Sequence, residues 1–381
     1  MMKQFKEIII TVAFLGILLL PFADSLFNFI PKVENRENRA LKKKPEFDIN
    51  NLDAFPQLYD EYYSDNFDLR NQLLAFNSNL KFKMFNKPPV NGKAFLGNDG
   101  WMFITKHQMD TYLGNTMVDE KELIEYYNII KFREHFLDSI GCKYYVVIAP
   151  VKTSIYPEFL PLSKRKTNQE TLTDQIVALL DTIKGITTID LRPVLKEAKG
   201  GVRLYHKTDN HWNDYGAYVA YNKIMNTLSV NFPGLSPIPI SKYKIDSTKV
   251  KGLALTNMMG IYEGIYENKI KLKPTFNIKS KKGAKSGYPV IPYFGYPSEY
   301  ERVYVTDNDT LPKLLMIRDS FGGMLIPYMR EHFSKSVYIF DSWHHAFNKE
   351  IVLNEKPDIY IQLVLEMFIP NIHKHAKYGN N

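Results

Sequence analysis

The sequence holds a single cysteine, Cys142, among its 381 residues. One thiol excludes an intramolecular disulfide and a cysteine-based zinc cluster. Cys142 opens an apolar, strand-like segment, which suits a small buried hydrophobe better than a nucleophile. Zinc-finger spacing, an RNP motif and a helix-turn-helix signal are also missing, which disfavours nucleic acid as a partner. There is no excess of acid: 49 Lys and Arg stand against 41 Asp and Glu, a net charge of +8. A basic balance suits anionic partners, but the cations are spread along the chain, with one dense run at Lys42-Lys43-Lys44. The pattern reads as a positive surface without a specific partner. His344-His345 has no carboxylate cluster beside it, and His373-Lys374-His375 lies in a polar tail. Neither suggests a metal centre, and no cofactor is expected. No internal repeat or low-complexity tract is found.

What is present begins with length. A chain of 381 residues exceeds the about 250–300 residues that one hydrophobic core usually serves. One large domain with a smaller region or an insertion is therefore expected. The composition, 45% hydrophobic and 24% charged, is that of a globular protein. At the N-terminus, Lys3 and Lys6 precede a charge-free apolar run from Ile8 to Leu20, continued by Phe22 to Ile30. This is the charged and apolar pattern of an export signal. Ala23-Asp24-Ser25 makes a poor cleavage site, so residues 1–30 are read as an uncleaved single-pass membrane anchor. Lysines on the N-terminal side place the rest of the chain outside the cytoplasm.

Residues 31–90 read as a polar linker followed by a helical arm. Residues 91–381 read as the main domain. Phe95–Thr105 has the pattern of a hairpin turning at Asn98-Asp99-Gly100. Strands are expected at Tyr144–Ala149, Thr187–Leu191, Lys313–Ile317, Ser336–Phe340 and Asp358–Leu365. They alternate with helices at 119–139, 168–184, from Asn213 to Leu228, and from about Gly322 to His332. Apolar strands alternating with helices indicate an α/β fold, a parallel sheet covered on both faces. Residues 232–312 break the alternation and are expected to form an irregular insertion or a small β-rich subdomain.

Two segments carry chemistry. In Lys313-Leu-Leu-Met-Ile-Arg-Asp-Ser-Phe-Gly-Gly323 a buried strand runs into Asp319-Ser320. That places Ser320 at the carboxyl end of a parallel strand, where open α/β sheets bind ligands. A helix start there offers N–H groups to an oxyanion, and Gly322-Gly323 lets a substrate approach the backbone. The bland alternative is a plain helix cap at Asp319. In Tyr205-His-Lys-Thr-Asp-Asn-His-Trp-Asn213, Asp209 and His211 stand at i and i+2. In an extended segment these share a side, so the carboxylate can hold the imidazole while its other nitrogen takes a serine proton. Here the alternative is a turn cap and a structural histidine. Each segment supplies what the other lacks, giving Ser320, His211 and Asp209 as a candidate triad. Lys152, Tyr156, Arg318 and Trp212 are candidate substrate contacts.

Thr208-Asp209-Asn210-His211-Trp212, followed by Gly216-Ala217-Tyr218, resembles the Asp-x-His-Trp signature of the alginate O-acetyltransferase (AlgJ/AlgX-like, DHHW) family. Arg318-Asp319-Ser320-Phe321 is similar to that family's nucleophile segment, and Gly97-Asn-Asp-Gly-Trp-Met-Phe103 to its Gly-x-Asp-Gly-Trp block. Glu37-Asn38-Arg39, Ser64–Arg70, Ala149–Lys152 and Ile155-Tyr156-Pro157 add further similarity in the same order. Asn210 stands where many members have a second His. The resemblance implies an SGNH-hydrolase-like fold, with Ser320 as nucleophile, His211 as base and Asp209 as its orienter. It also implies O-acetylation of a cell-surface or exported polysaccharide through an acyl-enzyme. A membrane-bound O-acyltransferase partner would supply the acetyl groups at the periplasmic or extracellular side of a bacterial cytoplasmic membrane. A polysaccharide acetyl esterase with the same triad, and a non-catalytic polysaccharide-binding assembly protein, are the alternatives.

Overall fold

The computed structural model describes residues 2–31, 41–49, 52–85, 92–166, 170–261, 264–290, 294–341 and 344–374. Glu37-Asn38-Arg39, most of the polar linker and His375 lie outside the described residues. The chain divides into two compact units, residues 1–95 with 251–265, and residues 96–250 with 266–381.

The first unit is helical. Its helix Met2–Phe27 includes a stretch, Gln4–Phe27, long and apolar enough by length and composition to cross a membrane. The aromatic-rich arm forms helices Phe55–Asn66 and Arg70–Phe85. Leu69 interrupts them with a left-handed φ of 69°, a conformation that a helix cannot continue through.

The second unit is built on a sheet. In chain order the strands of the described residues, of which Ala94, Phe95 and Lys251 fall to the first unit, are β1 Ala94–Leu96, β2 Met102–Ile104, β3 Lys143–Ala149, β4 Ile186–Asp190, β5 Tyr243–Lys251, β6 Tyr266–Pro274, β7 Lys281–Lys282, β8 Glu301–Val305, β9 Leu314–Arg318, β10 Lys335–Phe340 and β11 Ile359–Leu365. Seven form one sheet in the order β4-β3-β11-β9-β10-β8-β7. The five from β4 to β10 run parallel. β9 and β11 are buried at every residue, as expected of strands covered on both faces. Two of the helices carry side-chain caps at their starts. Asp119 and Glu122 form a reciprocal capping box on helix Glu120–Ser139, and Asn213 accepts from the N–H groups of Tyr215 and Gly216 at 2.9 and 3.0 Å. Both caps satisfy donors that a helix start leaves open. Near the start of the sheet-bearing unit, Asp99 and Gly100 turn with positive φ and Gly97 N–H donates to the Trp101 carbonyl at 2.7 Å, closing the expected turn.

Residues 232–312, expected as an irregular insertion or a small β-rich subdomain, contain strands β5 to β8. β5 and β6 form a two-stranded ribbon, and β7 and β8 extend the main sheet antiparallel to its parallel body. The helix expected from about Gly322 to His332 is three short pieces, Ser320–Gly323, Ile326–Met329 and a 3-10 turn at Arg330–His332. Asp319 starts the first piece with its own side chain. Pro327, near the start of the second, cannot donate an N–H to a continuing helix.

Gly216 shows how tightly the frame closes behind the candidate site. A Cβ there would lie 2.2 Å from the Leu204 carbonyl oxygen and 3.0 Å from Trp212 Cβ. Gly216→Ala is expected to lower the cooperative unfolding free energy by about 1–3 kcal/mol, the usual cost of overpacking. Chemical denaturation of both proteins tests this; an unchanged midpoint would contradict it.

Candidate active site

Five strand ends meet at the carboxyl edge of the parallel sheet, where open α/β folds place ligands. β9 ends at Arg318 and delivers Asp319-Ser320. From the loop before helix Asp214–Leu228 come Asp209 and His211. That loop is closed by a lone antiparallel bridge between Tyr205 and Trp212 and by His206 N–H donating to the His211 carbonyl at 3.2 Å. Between the closed ends it bends instead of running extended. Asp209 and His211 face each other because of this bend, not through strand alternation.

The polar contacts form a chain. Asp209 Oδ1 lies 2.7 Å from His211 Nδ1 and also accepts the His211 backbone N–H at 3.0 Å. His211 Nε2 lies 2.8 Å from Ser320 Oγ. Burial pushes the Asp209 carboxyl up, but the hydrogen bonds and charge of His211 outweigh that and hold it well below the usual carboxylate range. The His211 side chain keeps 28% exposure, so the far end of the chain opens to solvent. Phe321, fully buried, seats the imidazole with ring centroids 4.9 Å apart and meets Trp212 edge-on at 5.0 Å.

The Ser320 segment is pinned from behind by Asp319, which is wholly buried. Its Oδ1 accepts from Phe321 and Gly322 N–H at 2.8 and 3.4 Å, and its Oδ2 from Leu365 N–H at 2.6 Å. One carboxylate thus ties the ends of β9 and β11 together. Two N–H groups of this helix start, those of Phe321 and Gly322, are thus taken up by Asp319. Burial raises the Asp319 carboxyl to about 6, against the lowering effect of these three bonds.

All four candidate substrate contacts lie inside the protein. Trp212 and Lys152 are fully buried, Arg318 is 1% exposed and Tyr156 is 6% exposed. Lys152 Nζ is engaged by backbone carbonyls of the His211 loop. Tyr156 Oη accepts from Leu204 N–H at 3.0 Å. Arg318 donates to the carbonyls of Asp319 and Glu299 and stacks on Phe340, 5.0 Å from the ring centre. None is more than 6% exposed. The two glycines are corrected as well. A Cβ on Gly322 would lie 2.6 Å from Arg318 Cβ, so the missing side chain makes room for Arg318, not for a ligand.

Glu267 of β6 carried no sequence signal, yet its buried carboxylate binds this loop. His344 meets Asp341 at 3.2 Å, and His345 is fully buried. Among the described residues no group of three or more His, Cys, Asp or Glu is placed to hold a metal ion. Cys142 is buried and its thiol is pushed up to about 12 by desolvation.

The Asp319 value lies above the ordinary 3.8, so its stabilising contribution is full below that value and lost as pH rises through about 6. Relative to Asp319→Asn, the wild type should therefore lose melting temperature between about pH 4 and about pH 7. Thermal unfolding of both proteins across this range tests it; a difference that grows in favour of the wild type at higher pH would contradict it.

Residues 94–264 match the family described as "SGNH hydrolase-like domain, acetyltransferase AlgX". The matched stretch takes in Asp209 and His211 and stops short of Ser320. The chain is 27% identical over 234 residues to the "Probable alginate O-acetylase AlgJ" of Pseudomonas syringae pv. tomato, a match covering 61% of this chain and 55% of that protein. It is 24% identical over 174 residues to the protein of the same description from Pseudomonas fluorescens, covering 45% and 42%. The chain thus spans about half the length of the curated relatives it matches. The solved structure of Bacillus cereus PatB1 with a sulfonyl adduct shares the fold at a TM-score of 0.53 and 18% identity, over 72% of this chain and 98% of that one. The family match and the curated relatives are thus similarities over part of this chain, and the likeness to the solved structure shows the fold.

Proposed function

We propose that the chain is an extracytoplasmic O-acetyltransferase that moves acetyl groups onto hydroxyls of an exported or cell-surface polysaccharide, with Ser320 as nucleophile. The carrying observation is the unbroken chain Asp209–His211–Ser320, with contacts of 2.7 and 2.8 Å. These are ordinary hydrogen-bond lengths, so proton transfer needs no rearrangement. The curated relatives' description as alginate O-acetylases supports acetyl transfer to a polysaccharide.

In the first half-reaction His211 Nε2 takes the Ser320 hydroxyl proton as Oγ attacks the acetyl carbonyl. The tetrahedral intermediate collapses, the donor's leaving group departs with the proton from His211, and acetyl-Ser320 remains. In the second half, His211 takes the proton of a sugar hydroxyl, whose oxygen attacks the acetyl-serine. Oγ leaves and recovers its proton from His211. Asp209, kept ionised, holds the imidazole and stabilises the imidazolium in both halves.

A membrane-bound O-acyltransferase is the proposed source of acetyl groups, in keeping with the resemblance. The apolar helix at Gln4–Phe27 is the proposed single-pass anchor, with the catalytic unit on the periplasmic or extracellular side. Tethering would raise the local concentration of donor and acceptor. The proposed domain division is an anchor at 1–30, a linker and arm at 31–90 and a catalytic region at 91–381.

Turnover of p-nitrophenyl acetate by the full-length protein in detergent tests this reading. Both Ser320→Ala and His211→Ala should lose about 1,000-fold or more in kcat, as expected for members of a triad. Retention of activity by Ser320→Ala would overturn the assignment. Acetyl transfer that depends on added polysaccharide supports the transferase; acetate release indifferent to polysaccharide would mark an esterase.

A further inference from the structure

The loop that carries Asp209 and His211 is gripped from two sides by charges that never touch the reacting atoms. Lys152 follows the end of β3, and its Nζ donates to the carbonyl oxygens of His206, Lys207 and Asp209 at 3.0, 3.1 and 2.6 Å. An ammonium group has three N–H donors and no acceptor, so the three carbonyls use it completely. The rings of Trp101 and Phe103 lie against it, their centres 5.6 and 5.2 Å from Nζ. Without the cation the carbonyls of His206 and Asp209 would lose this donor, at a cost for each, while the Lys207 carbonyl would keep the Met102 N–H at 2.9 Å.

From the other side comes Glu267 of β6, whose side chain is also fully buried. It accepts from Thr208 N–H at 2.6 Å and from the Thr208 hydroxyl, and lies 3.0 Å from both His206 Nδ1 and Arg203 Nη2. The cation takes the carbonyls of His206, Lys207 and Asp209, and the carboxylate takes the N–H and hydroxyl of Thr208 between them. With both sets fixed, the loop has little freedom to turn the Asp209 side chain away from His211.

We propose that Lys152 and Glu267 are positioning residues, which hold residues 206–209 so that Asp209 meets His211 and His211 meets Ser320. This rests on the triad reading above. It gives β6, part of the 232–312 insertion, a task in assembling the acid–base pair.

The pair makes a specific pH signature. Burial pulls the Lys152 ammonium down to about 7, while Asp209 and Glu267 push it up and Arg203 pulls it down. The other ionisable groups on the facing loop are His206, which pairs with Glu267, and Lys207, which donates outward to the Asp99 carbonyl at 2.9 Å. A neutral amine keeps two N–H donors, so losing the proton releases one of the three carbonyls. Wild-type kcat should therefore fall on the alkaline side as Lys152 deprotonates. Removing the Glu267 charge should move that fall to lower pH.

The test uses full-length wild type, Ser320→Ala, Lys152→Met and Glu267→Gln. It follows ester turnover against pH and the rate at which a sulfonyl fluoride labels Ser320. For Lys152→Met, kcat and labelling rate should drop together by about 100-fold with KM little changed, the scale expected of a misplaced catalytic group. Glu267→Gln, the milder change, should shift the alkaline fall of kcat to lower pH. An alkaline fall that Glu267→Gln leaves in place, or none in the wild type, overturns the positioning role while Ser320→Ala remains inactive. Turnover retained by Ser320→Ala overturns the triad reading, and the proposal with it.

Discussion

The 2.8 Å contact between His211 Nε2 and Ser320 Oγ joins two segments 109 residues apart in the chain. Neither segment could hold that distance alone. Ser320 sits two residues beyond a strand buried at every position, and its neighbour Asp319 is bonded to Leu365 at the end of the adjacent strand. His211 sits in a loop closed by the Tyr205–Trp212 bridge and seated on Phe321, the residue after the nucleophile. The packing that supports one partner therefore also positions the other. A small shift of either element would break the contact, because close-packed interiors transmit displacement instead of absorbing it.

Carboxylates recur at the carboxyl edge of the sheet, and each accepts a backbone N–H from the end of a strand or from the loop that follows one. Asp319 accepts from Leu365, Glu366 from Val151 at 2.8 Å, Asp341 from Ala346 at 2.9 Å and Asp190 from Arg192 at 2.9 Å. Loops at this edge have backbone donors that no ladder satisfies, and buried donors need partners. Short acidic side chains at strand ends provide them while fixing loop direction. Lys152 does the complementary work for carbonyls. Buried charges are costly unless fully hydrogen-bonded, and here the bonding is to main chain, which makes these residues determinants of loop shape.

The sheet was legible because its central strands are apolar on both faces: Tyr144–Ala149 and Ile359–Leu365 leave little room for another reading. The pairing of Asp209, His211 and Ser320 followed from complementary chemistry in two segments, and their geometry agrees with it. β7 and β8 were not legible, since a two-residue strand and Glu301-Arg-Val-Tyr-Val305 carry no strong period, and their place depends on pairing with β10. The burial of Lys152, Arg318 and Tyr156 was not legible, because the carbonyls and rings that cover these side chains are distant in sequence. Gly322 was misread likewise, because its neighbour in space, Arg318, turns back over it. Glu267 sits in an alternating strand among lysines, where nothing local sets it apart from a solvated charge.

Peptide mapping by mass spectrometry of the protein quenched during turnover of an acetyl ester tests the central claim most directly. A mass increment of one acetyl group is expected on the peptide containing Ser320, absent from Ser320→Ala and accumulating least in His211→Ala. Acetyl found on another residue, or turnover with no acetylated Ser320 at any quench time, would contradict it.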